Sequence, residues 1–142
     1  MPDLKTYDPN EVSVIFADRS IDSGRVDGDF VTSEYTSELY TMKTGADGEV
    51  VRVKSADQSA KITLKLMSTS SGHRILTQLY QAARASTNGD DIAPIQIRDR
   101  LGGLVEHADK AWISKAPSNA FGKDVGERDW EIMVSQLERT VE

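Results

Sequence analysis

The sequence has 142 residues, which suits one domain, and its 38% hydrophobic content can fill a sizeable core. It contains no cysteine, which excludes a disulfide framework, thiolate metal sites and cysteine nucleophiles. Its net charge of −6 argues against gripping nucleic acid, because phosphate binding rests on lysine and arginine displacing counterions.

Met1 to Glu11 is polar and has no apolar stretch of the secretory type. No run approaches the roughly 18 apolar residues that a membrane span requires, so no membrane association is expected. The first strand pattern is Glu11 to Ala17, where Val12, Val14 and Phe16 alternate with smaller residues. Ile15 breaks the polar face and hints that both faces are partly covered. Asp18 to Gly28 is rich in Asp, Ser and Gly and reads as turns. Phe30 to Thr32 reads as another short strand.

A hairpin follows. Leu39 to Lys43 and Val50 to Lys54 are strand-like, and Gly45 and Asp47-Gly48 between them offer positive-φ positions for the turn. Val51 and Val53 share a face, with Arg52 and Lys54 opposite. So sparse an apolar face makes a hairpin marginal alone, so it is expected to lie on something else, such as another subunit. Lys61 to Leu66 is an amphipathic strand: Ile62, Leu64 and Leu66 point one way, Lys61, Thr63 and Lys65 the other.

One helix is predicted, from about Gly72 to Ala85. Ser70 or Ser71 can cap it. Ile75, Leu76, Leu79, Tyr80 and Ala83 form its apolar stripe, and Asn88-Gly89 is a stop signal. At 1.5 Å per residue it is about 20 Å long, enough to cover a small sheet. Ile95 to Arg98, Val105 to Ser114 and Trp130 to Leu137 read as further strands, with a turn over 99–103 and a long loop from Ala116 to Asp129. The pattern is antiparallel β with one helix packed across it, a small sandwich or open barrel.

Candidate chemistry is sparse. His73 is placed on the polar side of the helix start. Glu106, His107 and Asp109 are a conceivable metal set, but neighbours on a strand point to opposite faces and cannot easily share an ion. Asp27-x-Asp29 and Asp90-Asp91 could bind calcium weakly, although acidic pairs in turns are more often solvated caps. Trp112 and Trp130 could stack on bases, but on strands with apolar partners they are more often core or interface anchors. No nucleophile elbow, phosphate loop or dinucleotide turn is present. These readings predict no enzyme and no cofactor.

The run Gly45-Ala46-Asp47-Gly48-Glu49-Val50 and the strand Lys61-Ile62-Thr63-Leu64-Lys65-Leu66 occur in a notable order. They precede Ala111-Trp112-Ile113-x-Lys115-x-Pro117, Phe121-Gly122-Lys123 and Arg128-x-Trp130-x-Ile132. Together these resemble the tail tube proteins of contractile-tailed bacteriophages, over about Tyr7 to Glu138. The resemblance implies a mainly β (α+β) fold of two packed antiparallel sheets with one flanking helix. It implies one domain over 1–142, with an N-terminal arm at about 1–10, an extended hairpin at about 38–55 and a helix at about 72–86.

It further implies stacked hexameric rings whose sheets join into an inner β-barrel, a virion tail component assembled in the bacterial cytoplasm. The implied partners are other copies of the chain, a tail sheath protein, a tape-measure protein, the baseplate and the tail terminator. Double-stranded DNA would pass through without specific binding. The hairpin residues Leu39, Tyr40, Met42, Gly45, Asp47, Gly48, Val51 and Val53 would reach the neighbouring ring. Glu34, Glu38, Asp47 and Glu49 are candidate carboxylates for the channel or the ring seam. Arg52, Lys54, Lys61 and Lys65 would then sit at subunit contacts or toward the sheath. Alternatives are a head-tail completion or baseplate hub protein of the same fold, the tube of a bacterial contractile injection system, and a small monomeric binding module.

Overall fold

The computed structural model describes residues 4, 6–21, 24–26, 28–87, 89, 91–119, 121–123 and 126–141. Asn88, Asp27 and Asp90, invoked above as helix stop and calcium ligands, lie outside them. A 3-10 turn at Pro9–Glu11 leads into β1 (Val12–Phe16), followed by β2 (Arg19–Ser20), β3 (Val31–Tyr35), β4 (Tyr40–Thr44), β5 (Val50–Lys54) and β6 (Ala60–Met67). Then come α1 (Gly72–Ala85), β7 (Ala93–Asp99), β8 (Leu104–Lys115), β9 (Glu127–Val134) and β10 (Glu138–Val141).

Alternation places the core. Val12, Val14 and Phe16 of β1 are buried, as are Ala60, Ile62, Leu64 and Leu66 of β6 and Trp130, Ile132 and Val134 of β9. With Ile95 and Ile97 of β7 and Leu76 of α1 they form one cluster. Each large aliphatic or aromatic side chain so buried contributes roughly 1.5–3 kcal/mol. The helix spans the predicted residues, and its cap comes from Ser70, whose Oγ accepts from the Gly72 N–H at 3.0 Å. Gly24, at φ +69, packs so closely on Ser70 that a Cβ there would overlap the Ser70 side chain and Cα.

The strands run β2-β1-β7-β8-β9-β6-β3 in one eight-stranded antiparallel sheet, with β10 on β8, and β4-β5 stand apart as a second, two-stranded sheet. The two layers implied by the resemblance are limbs of this one sheet. Its fork lies at 135–137. Along one edge of β8, residues Ala111 to Lys115 pair with β9, while Leu104 to His107 pair with β10. β9 leaves with β6, and β10 stays on β8.

Between β8 and β3 lie β9 and β6, so a flat sheet would hold them about 14 Å apart. Yet Ser33 Oγ of β3 donates to the Glu106 carboxylate of β8 at 2.6 and 2.8 Å. Tyr35 Oη donates to the Leu137 carbonyl at 2.8 Å. The sheet therefore curls until its two limbs meet, as an open barrel does.

Three expectations are corrected. The stretch read wholly as turns contains β2, joined to β1 by a two-residue turn with Ala17 at φ 54 and Asp18 at φ 62. No glycine marks that turn, so its chemistry was not readable. The strand expected from Trp130 to Leu137 ends at Val134, and β10 follows as a separate strand. β3 extends to Tyr35, beyond the expected Thr32.

Candidate assembly surface

The β4-β5 hairpin has the register Tyr40↔Lys54, Thr41↔Val53, Met42↔Arg52, Lys43↔Val51 and Thr44↔Val50. Opposed residues share a face. One face therefore carries Tyr40, Met42 and Val50 with Arg52 and Lys54. The other carries Val51 and Val53 with Thr41 and Lys43, and Leu39 joins it, since the Ser55 N–H bonds the Leu39 carbonyl at 2.7 Å. Every residue of both strands is exposed, Met42 at 70%, and so is Leu39 just before β4, at 60%.

The turn uses fewer glycines than expected. Only Gly48 adopts positive φ, at 88°. The Gly48 N–H bonds the Gly45 carbonyl at 3.0 Å and Gly45 N–H bonds the Glu49 carbonyl at 2.7 Å. A type I turn followed by one left-handed residue needs a single glycine, and Gly45 sits in ordinary backbone. Arg52 lies over the Tyr40 ring, 4.2 Å from its centroid.

Sequence reasoning missed the root of the arm. Asp57 accepts from Ser37 Oγ at 2.6 Å, from the Ser59 N–H at 3.0 Å and from Thr36 Oγ1 at 3.4 Å. The Ser37 hydroxyl, then the Ser59 amide and hydroxyl, pull the Asp57 carboxyl down to about 2. Short polar residues around one aspartate, at 36–37 and 57–59, were the available signal.

The four candidate carboxylates are all exposed. Glu34 lies on β3 opposite Lys61 in register, Glu38 precedes the hairpin, and Asp47 and Glu49 flank its tip. Asp47 Oδ1 accepts from the Glu49 N–H at 3.1 Å, so that carboxylate shapes the turn. Of the basic set, Lys61 pairs with Glu131 at 3.1 Å.

The histidines divide. His73, expected on a polar face, is buried. It shares a helix face with Leu76, and Trp130 covers it. Trp130 Nε1–H donates to His73 Nδ1 at 3.0 Å, so Nε2 bears the proton and donates to the Met67 carbonyl at 2.8 Å. Burial holds this imidazole below its ordinary 6.5, against the raising effect of the Met67 contact, and the nearby Arg128 charge lowers it further. His107 Nε2 meets Asp109 Oδ1 at 2.9 Å, but Glu106 points the other way, buried against Arg139. Among the described residues no set of three ligands gathers to hold a metal.

The fold is a curled antiparallel sheet with one helix and an exposed two-stranded arm that carries apolar residues on both faces. The family described as Bacteriophage PhiTE tail tube protein matches residues 14–141, and the chain belongs to that family. It is thus a structural component of a phage tail and not an enzyme.

A relative, "Structural protein ORF10" of Pseudomonas phage KPP10, is 29% identical over 135 residues, covering 92% of this chain and 78% of its own length. Three solved structures share the fold. A chain of the anti-feeding prophage cap, described as a tube terminating cap, has TM-score 0.61 at 11% identity, with 100% of this chain and 95% of that one covered. A chain of the sheath-tube complex of the extracellular contractile injection system PVC, in its extended state, has TM-score 0.59 at 15% identity, over 96% and 92%. A chain of the PVC sheath/tube terminator has TM-score 0.61 at 14% identity, over 97% and 99%.

Proposed function

We propose that the chain is the repeating, single-domain subunit of the tail tube. Six copies close into a ring whose sheets join as one inner barrel, and rings stack through the hairpin. The observation that carries this is the β4-β5 arm, apolar on both faces and covered on neither. Ring closure would pair the sheet edges that a lone subunit leaves open. Stacking is a head-to-tail contact that does not close on itself, so it builds a filament.

Magnitudes favour many contacts over one. Covering the six apolar side chains of the arm yields of order 10 kcal/mol gross. Association costs about 4–15 kcal/mol in lost freedom. One arm alone is marginal, and a ring engaging six is not.

In this reading a sheath encloses the tube, a tape-measure protein fills it during assembly in the host cytoplasm, and a baseplate and terminator close its ends. DNA passes through without specific binding, with Glu34, Glu38, Asp47 or Glu49 facing the lumen or the ring seam to repel phosphate. The sheath-tube relative supports the sheath as a partner. A second reading, a completion or terminator ring, is favoured by the two relatives from a cap and a terminator. Negative-stain electron microscopy of the purified protein over a concentration series separates the two. Stacked hollow tubes support the repeating subunit. Single rings that never stack, even on purified baseplates, support the terminator. A monomer at every concentration, even on baseplates, overturns both.

A further inference from the structure

A cleft of about 430 Å³ lies between α1, the start of β9 and the segment 116–119. Thr77, Tyr80 and Arg84 line it from the helix, Arg128 and Trp130 from β9, and Asn119 from the loop. Among the described residues, Arg84 and Arg128 line this space and no carboxylate does, although the chain carries 23 acidic residues against 17 basic ones. Among the described residues neither arginine has an ion-pair partner. Arg84 Nη1 donates to Tyr80 Oη at 3.1 Å, which leaves most of its donors unused. Arg128 stacks over Phe121 at 5.5 Å, and among the described residues its buried Nε has no hydrogen-bond partner.

A buried, unsatisfied donor on a charged group is costly unless something accepts from it. Paired arginines present planar forks that match the two oxygens of a carboxylate. The cleft is far larger than an isolated oxyanion, and the Tyr80, Pro117 and Trp130 surfaces suit the aliphatic stem of a longer side chain.

We propose that this cleft binds the carboxylate of an acidic peptide segment from a neighbouring protein in the tail. The helix flank 77–84 and β9 then form a second contact surface, separate from the hairpin. It reads charge where the arm reads apolar area.

The test is calorimetric titration of the full chain, dispersed below its assembly concentration, with the peptide acetyl-Gly-Glu-Glu-Gly-amide and its Gln-Gln counterpart. The Glu peptide should bind one per chain and weaken with added salt. Arg84→Gln and Arg128→Gln should each weaken it about tenfold or more. Arg74→Gln, on the same helix but away from the cleft, should leave it unchanged. Arg84 is exposed, so its variant keeps the fold and decides the matter if Arg128→Gln does not. Absence of binding, equal binding of the Gln-Gln peptide, or binding that survives Arg84→Gln would overturn the proposal. So would binding of inorganic phosphate without the Glu peptide, which would mark a site for free oxyanions instead.

Discussion

Arg139 stands directly opposite Glu106 in the β10-β8 ladder, its Nε 2.7 Å from the Glu106 Oε1. The same guanidinium donates through Nη2 to the Ser33 carbonyl at 3.1 Å and lies 4.6 Å from the centroid of the Tyr35 ring. One side chain thus fastens the two limbs of the curled sheet where no ladder joins them. Arg139→Met should leave Glu106 buried without its cation and cost about 2–3 kcal/mol, below the full penalty of a buried pair because Arg139 is partly wet. Urea unfolding would show it. Glu106→Gln, which keeps an acceptor for both Ser33 and Arg139, should cost less.

The His73–Trp130 contact should make stability depend on pH. The imidazole is held below 6.5 in the folded chain, so the unfolded chain binds the proton first on acidification. The contribution is whole above about 6.5 and is lost as pH falls from there toward the folded value. Protonation at Nδ1 would also set N–H against N–H at Trp130. Unfolding curves at pH 7.5 and 5.5 should separate, and His73→Gln should remove most of that difference. A difference unchanged in the variant would place its cause elsewhere.

Asp57 works in the same sense over a lower range of pH. Its folded pKa is lowered to about 2, so its hold on the hairpin root is complete above the ordinary 3.8 and fades only as pH falls toward 2. Asp57→Ala should speed amide exchange across 37–55 while leaving the β6 and β9 amides protected.

Ala17 occupies left-handed backbone that costs an L-residue about 1 kcal/mol. Ala17→Gly should therefore stabilise the chain by somewhat under that amount, since glycine also loses more freedom on folding. Gly24→Ala should do the reverse, by about 2–3 kcal/mol, because its Cβ meets Ser70 backbone that cannot yield. Thermal melts of both variants check the pair.

Val51 and Val53 are exposed in the subunit, so Val51→Asp with Val53→Asp should alter its unfolding by no more than about 0.5 kcal/mol per site. In the proposed tube they are covered, and the same double variant should form no tubes under electron microscopy. Tubes of normal length from that variant would remove the hairpin from the assembly surface.

What could be read in the sequence followed from local pattern. Ile62, Leu64 and Leu66 show period two, and the stripe through Leu76 and Leu79 shows the helical period, so both elements fall where expected. The turn before Glu49 announced itself through Gly48. β10 did not: all four of its residues are exposed, and nothing in Glu138 to Val141 alternates. The partnership of Arg139 with Glu106 and Ser33 spans distances in sequence that no periodicity reports. His73 was misplaced because its burial comes from Trp130, on a strand more than fifty residues away. Glu34, Glu38, Asp47 and Glu49 remained without an assigned direction because each is exposed, and exposure within one subunit does not tell lumen from seam.

A strip that is apolar on both sides cannot be satisfied by a single visitor. When one copy covers Leu39, Val51 and Val53, the side bearing Tyr40, Met42 and Val50 is still wet. Pairs gain little and dissolve readily, while each later addition finds more to hold than the first did. If the arm joins rings as proposed, such a subunit stays dispersed as its concentration climbs, then converts abruptly once a seed exists. In the proposed tube the hairpin would thereby act as a timer, keeping the protein idle until something else offers the first platform.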